Sequence, residues 1–180
     1  GSYTVNSLST LTNAIFSSGG VTRIGTLRDI QLKRNGKIIS HFDLYDLLLR
    51  GDTSSDRRLL PGDVVFVPPI GPTVGILGEV RRPAIYELRK DRKDLLSAII
   101  AAGGASPGSK TTEIMVKSVS NVEGVSAAQI DLTTTLGKSH QLRDGDVVQV
   151  APVLEYNQDG FIILAGEVVN PGVYLITPNE

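Results

Sequence analysis

The sequence predicts an α+β fold built from tandem copies of one unit, each a mixed sheet with one packed helix. Two observations predict it. The chain matches itself at offsets of 83 to 88 residues, and each copy orders its segments as hairpin, helix and further strands.

The self-match runs in one order along the chain. Leu11, Ala14, Ile15, Gly19 and Gly20 return as Leu95, Ala98, Ile99, Gly103 and Gly104, and Ile30 and Lys33 return as Ile114 and Lys117. Asp43-Leu44 returns as Asp131-Leu132, and Gly62-Asp63-Val64-Val65 as Gly145-Asp146-Val147-Val148. Gly78-Glu79-Val80, Pro83 and Tyr86 return as Gly166-Glu167-Val168, Pro171 and Tyr174. The small drifts fit insertions and deletions in loops. Tyr3 matches Tyr86, so Gly1–Val5 reads as the tail of the same hairpin.

Each element then follows. Val74–Val80 and Ala84–Leu88 flank the turn at Arg82-Pro83 and form a hairpin. Leu95, Ala98, Ile99 and Ala102 stand at i, i+3, i+4 and i+7, one face of a helix. Gly103-Gly104 stops it, because glycine accepts the positive φ of a helix C-cap. Strands are expected at Glu113–Ser118, Ala127–Leu132 and Val147–Val150, the last entered from the turn Arg143–Asp146. The other copy has a helix near Thr10–Ser18, strands near Asp29–Arg34 and Lys37–Ser40, and the turn Leu60–Asp63. It adds a helical stretch, Asp43–Arg50, with Leu44, Leu47 and Leu48 on one face. Hairpin, helix and strands in this order make a β-grasp unit. Residues 1–72 are a first copy without its opening strand, 73–153 a complete second copy, and 154–180 the opening hairpin of a third. The chain is expected to be an excerpt of something longer.

Composition narrows the function. Of 180 residues, 41% are apolar and 21% charged, which is ordinary for a globular chain. With 18 Lys and Arg against 19 Asp and Glu, no net field draws in nucleic acid or an anionic membrane. Without cysteine there is no disulfide, thiolate metal site or cysteine nucleophile. The apolar runs Val64–Gly78 and Leu95–Ser109 are broken by Pro and Gly and fall short of the roughly 20 residues that span a bilayer. No signal peptide is read, and the chain is expected to be soluble.

Three runs carry a resemblance: Phe42–Asp52 (FDLYDLLLRGD), Leu60–Pro69 (LPGDVVFVPP) and Gly78–Leu88 (GEVRRPAIYEL). They resemble the SLBB domains, soluble-ligand-binding β-grasp, of bacterial polysaccharide-export proteins. The resemblance covers nearly the whole chain. It implies β-grasp domains that stack as periplasmic rings at the outer membrane and line a conduit for capsular polysaccharide or exopolysaccharide. It also implies a homo-oligomer in the full-length protein, polysaccharide in transit as cargo, and an inner-membrane polysaccharide copolymerase as a further partner. The family's N-terminal export domain, lipidated cysteine and C-terminal membrane helix have no counterpart in these residues. SLBB units also serve in cobalamin binding and in a respiratory complex, so a soluble-ligand or saccharide-binding module and an adaptor to inner-membrane machinery remain alternative readings.

Candidate chemistry is sparse. Gly103–Thr111 has P-loop glycines, but Ser109 separates Gly108 from Lys110 and the loop leaves a helix for a strand. Asp63, Asp144, Asp146, Glu79 and Glu167 offer carboxylates for acid–base work. Asp63 with Asp146 and Glu79 with Glu167 are repeat equivalents, however, so the scaffold accounts for them. His41 and His140 are not repeat equivalents and lie in no nucleophile-elbow or metal-ligand pattern. No catalytic, metal or cofactor residue is assigned, and an enzyme is not expected.

The basic residues are the exception. Arg81, Arg82, Arg89, Lys90, Arg92 and Lys93 fall within 13 residues against Glu87 and Asp91, a local charge near +4, and Arg57 and Arg58 add a pair. The third copy has Val169-Asn170 in place of Arg81-Arg82, so the scaffold does not demand this charge. These eight residues are the candidates for a subunit interface or for contact with an acidic glycan, to which arginine forks are suited. The plainer reading is a solvated loop and helix start.

Overall fold

The computed structural model describes residues 9–120, 124–153, 160–164, 166–167, 169–170 and 172–176. The expected hairpin tail at Gly1–Val5 lies outside them. The chain forms two compact units that interleave in sequence. The first comprises Gly1–Val74, Ile85–Lys93 and Arg143–Gly145, and the second Gly75–Ala84, Asp94–Leu142 and Asp146–Glu180.

In the first unit, helix α1 (Leu11–Ser17) begins where the Thr10 side chain accepts the Asn13 N–H. Leu11 and Ile15 lie one turn apart and are buried. Gly19 and Gly20, both at positive φ, close the helix with Gly20 N–H bonded to Ile15 O and Gly19 N–H to Phe16 O. Strand β1 (Ile30–Arg34) pairs antiparallel with β2 (Lys37–Phe42), and α2 (Leu44–Arg50) leads on to β3 (Val64–Phe66) on the other side of β1. The sheet order is β2-β1-β3. Alternation puts Ile30 and Leu32 on the inner face, where they join Leu11, Ile15, Phe42 and Leu44 in one apolar cluster. Each such buried side chain contributes roughly 1.5–3 kcal/mol.

The other sheet contains β4 (Thr73–Gly78), β5 (Ala84–Glu87), β6 (Ser109–Ser120), β7 (Gly124–Ile130) and β8 (Val147–Pro152), in the order β5-β4-β8-β6-β7. β4 runs parallel to β8, while β6 is antiparallel to both of its neighbours, so the sheet is mixed. Helix α3 (Leu95–Ala101) is capped by Asp94 and closed by Gly103-Gly104 with the same bonds as in α1. Leu95, Ala98, Ile99 and Ala102, the face read from the sequence, are all buried. β9 (Gly160–Leu164) and β10 (Gly172–Ile176) pair antiparallel, with Tyr174 opposite Ile162. The α+β class is therefore as the sequence predicts. Among the described residues no helix is long and apolar enough to cross a membrane.

Two elements differ from expectation. β6 starts at Ser109 rather than Glu113, because Ser109 pairs with Pro152 ahead of a register break that precedes Ile114. Thr135–Lys138 forms a one-turn helix, α4, at the repeat position of α2. Its Thr-Leu-Gly-Lys has no apolar face, and Leu136 is 83% exposed. The turn is held instead by the Thr134 hydroxyl, which accepts the Gly137 N–H, and a side chain at Gly137 would collide with the Asp131 carbonyl.

Gly78 shows what the parallel pairing demands. It has φ +81°, and a Cβ there would stand 2.1 Å from the Val150 carbonyl oxygen. Gly166, its repeat equivalent, has φ +96°. A Gly78→Ala substitution is expected to cost at least about 2 kcal/mol, from left-handed strain plus displacement of β8. Urea unfolding measures it, and a loss below about 0.5 kcal/mol would contradict the tight crossing.

Candidate functional site

The first unit holds a buried carboxylate that no sequence pattern singles out. Glu87 closes β5 and is 4% exposed. Its Oε1 accepts from the Thr26 hydroxyl at 2.5 Å and the Gly71 N–H at 2.9 Å, and Oε2 accepts from the Leu27 N–H at 2.9 Å. Its backbone is held as well. The N–H donates to the Tyr45 hydroxyl at 3.1 Å, and the carbonyl accepts from Arg28 Nε at 3.1 Å.

Arg28 carries the network outward. Its guanidinium lies 3.6 Å from the Tyr45 ring centroid and pairs with Asp43 at 3.1 Å. Asp43 also caps α2 by accepting the Tyr45 N–H. Burial pushes the Asp43 carboxyl above its ordinary pKa, against the opposing pull of Arg28. Burial likewise raises the Tyr45 phenol.

A cleft of about 460 Å³ opens over this network, with Pro68, Pro69, Pro72 and Leu88 among its lining. One rim carries Asp29, whose carboxylate meets Lys90 Nζ at 2.8 Å and His41 Nδ1 at 2.5 Å. Burial works to raise Asp29, but the hydrogen bonds from Lys90 and His41 outweigh it and hold the group below the usual carboxylate range. The bond to Asp29 raises Lys90 in turn. The other rim carries Arg89, which bonds Asp91 at 3.1 Å and stands 3.9 Å from Asp46. That bond to Asp91 raises Arg89 and lowers Asp91.

The structure brings together only part of the basic stretch. Arg89 and Lys90 line the cleft, and Arg92 and Lys93 follow in the same unit. Arg81 and Arg82 are exposed in the second unit, beside Gly103. Arg57 and Arg58 are exposed in the first unit, where their segment pairs with the start of α1. Eight residues grouped by number are thus divided between two units.

Three of the five candidate carboxylates, Asp63, Asp144 and Asp146, have structural partners. Asp63 takes a two-pronged bond from Arg34, at 2.7 and 2.9 Å, and accepts the Leu60 N–H. Asp144 accepts the Thr73 N–H at 2.6 Å, and Asp146 is buried with a bonding partner of its own. His41 meets Asp29, while His140 lies in the other unit. Among the described residues no group of three His, Asp or Glu is placed to hold a metal ion.

Residues 73–150 match the family model of the SLBB domain. Two curated relatives, each a polysialic acid transport protein KpsD of Escherichia coli, are 31% identical over 108 residues, 59% of this chain and 19% of theirs. The chain thus spans about a fifth of the length of the curated relatives it matches.

Two outcomes follow from these bonds. Glu87→Ala strands three donors and is expected to destabilise the protein by about 3 kcal/mol in urea unfolding, with Glu87→Gln intermediate; a loss under about 0.5 kcal/mol would contradict the network. The Arg34 bond holds Asp63 at about 2, against an ordinary 3.8. A lowered carboxyl stabilises the fold above its unfolded pKa, and that contribution fades as pH falls from about 3.8 towards about 2. Arg34→Ala is therefore expected to weaken the protein at neutral pH, with the difference from the parent vanishing near pH 2. An unchanged difference across that window would sink the assignment.

Proposed function

We propose that this chain, whose residues 73–150 match the SLBB domain family, is a periplasmic segment of an outer-membrane polysaccharide-export protein, part of an oligomeric conduit for capsular polysaccharide or exopolysaccharide. The SLBB match is the observation that carries this reading, and the likeness to polysialic acid transport proteins supports it. The chain serves as architecture rather than as an enzyme. Its carboxylates are engaged in caps, turns and ion pairs, as a scaffold would use them. Full-length copies form a homo-oligomer, the polymer passes as cargo, and inner-membrane polysaccharide machinery is the neighbour on the other side. The repeat copies at 1–72, 73–153 and 154–180 are its modules.

One edge suits assembly between copies. β7 ends its sheet, is exposed from Gly124 to Gln129, and contains no charge and no proline. Its ladder with β6 is regular from Ile114↔Ile130 to Ser120↔Gly124. Val119 and Val125 face each other across it at 68% and 74% exposure. Edges that must stay unpaired carry lysines, prolines or bulges, and β7 has none of these. β2, one edge of the three-stranded sheet, has Lys37 and His41, and a bulge interrupts its pairing with β1.

The experiment is the native mass of the full-length protein extracted in mild detergent from fractionated membranes. A large closed oligomer in the outer-membrane fraction is expected. The pair Ser126→Lys and Ala128→Lys should dissociate it while leaving the circular dichroism spectrum unchanged. A soluble monomer would overturn the conduit and favour a ligand-binding module.

A further inference from the structure

The cleft of the first unit has chemistry that the scaffold does not require. By the repeat offset, Arg89, Lys90 and Asp91 fall against Thr177, Pro178 and Asn179, and Glu87 falls against Leu175. The charges of Arg89, Lys90 and Asp91 therefore belong to this one site and not to the β-grasp plan. At about 460 Å³ the cleft lies within the range of small-ligand sites, about 300–1,000 Å³.

Its charge balance excludes one class of ligand. Five carboxylates, Asp29, Asp43, Asp46, Glu87 and Asp91, line it against three permanent bases, Arg28, Arg89 and Lys90. Each base already spends its charge on a carboxylate, Arg28 on Asp43, Lys90 on Asp29 and Arg89 on Asp91. An anionic ligand would have to break these pairs and enter a site of net negative charge.

What the rims still offer is acceptors and donors side by side. The Lys90 side chain is 82% exposed and Asp91 64% exposed, so both keep bonding capacity facing solvent. Asp46, 3.9 Å from Arg89, adds a further acceptor, and Ser55 a hydroxyl. Adjacent hydroxyls of a sugar ring donate and accept in the same alternation. Pro68, Pro69, Pro72 and Leu88 supply an apolar surface for the ring's C–H face.

We propose that this cleft is a contact site for an uncharged saccharide unit, held through the rims formed by Asp46, Arg89 and Asp91 and by Asp29 and Lys90. The proposal rests on the export reading and names the sugar chemistry that the chain touches. Contact of this kind is weak, because each sugar hydroxyl exchanges a bond to water for a bond to protein. Weak contact is what a moving polymer requires.

The test is titration of the isotope-labelled chain, followed by amide NMR shifts. The probes are neutral hexasaccharides of glucose, mannose and galactose, with a sialic acid oligomer as the acidic comparator. A saturable millimolar response is expected from at least one neutral probe, confined to the amides of Asp46, Ser55 and Arg89–Asp91, and a weaker one from the acidic oligomer. Asp46→Asn and Arg89→Ala should each weaken it roughly tenfold while the remaining amide positions stay unchanged. Three outcomes would overturn the site: stronger binding of the acidic oligomer, shifts centred elsewhere, or no saturable response to any neutral probe. The native mass of the full-length protein is read independently, so a closed outer-membrane oligomer with an unresponsive cleft removes this site and leaves the conduit standing.

Discussion

A carboxylate removed from water must be given hydrogen bonds in return, and in the first unit Glu87 collects three of them from two parts of the chain. Thr26 and Leu27 come from the segment before β1, and Gly71 from the segment after β3. An ion buried without such partners costs several kcal/mol, so these loops have one arrangement that satisfies it. The constraint spreads through the backbone of the same residue. Its N–H fixes the Tyr45 hydroxyl and its carbonyl fixes Arg28, which stacks on Tyr45 and pairs with the cap of α2. The cleft above the network inherits its shape from these bonds.

What repeats was legible and what is long-range was not. Helix faces, glycine stops and the Gly-Asp turns are local patterns, and seeing each twice removed most of their ambiguity. Glu87 offers no such help. Its counterparts in the other copies are Thr4 and Leu175, and a glutamate late in a short strand ordinarily reads as solvent-facing. Its partners are 16 to 61 residues away, beyond any helix or strand period. The pairing of Lys90 with Asp29 spans 61 residues and is hidden for the same reason. Helix α4 is illegible for a different reason, since it rests on a threonine cap rather than on an apolar face.

The Gly-Asp turn separates scaffold from specialisation. Asp63 and Asp146 occupy the same repeat position and both turns enter a strand. Asp63 is met by Arg34, whose counterpart by the offset of 84 is Ser118, so the ion pair cannot be what the repeat conserves. The shared feature is the backbone geometry of the turn, and each copy finds its own way to satisfy the carboxylate. The same logic sets part of the cleft apart, because Arg89, Lys90 and Asp91 lack charged counterparts in the third copy, whereas Asp43 has Asp131 as its repeat equivalent.

Charge counted along a sequence differs from charge presented in space. The basic stretch sums to about +4 by number, yet Arg89 and Lys90 are neutralised within hydrogen-bond distance, and Arg81 and Arg82 belong to the other unit. Exposed charges are in any case screened within about 8–10 Å at physiological salt. A surface that held an acidic polymer through free arginines would retain it, because each fork adds a charge-assisted bond that must break before the chain advances. Arginines already satisfied by aspartates leave short-range polar contacts that form and break one hydroxyl at a time. In the proposed conduit, the internal pairing of Arg89 and Lys90 would therefore favour transit over capture at this cleft.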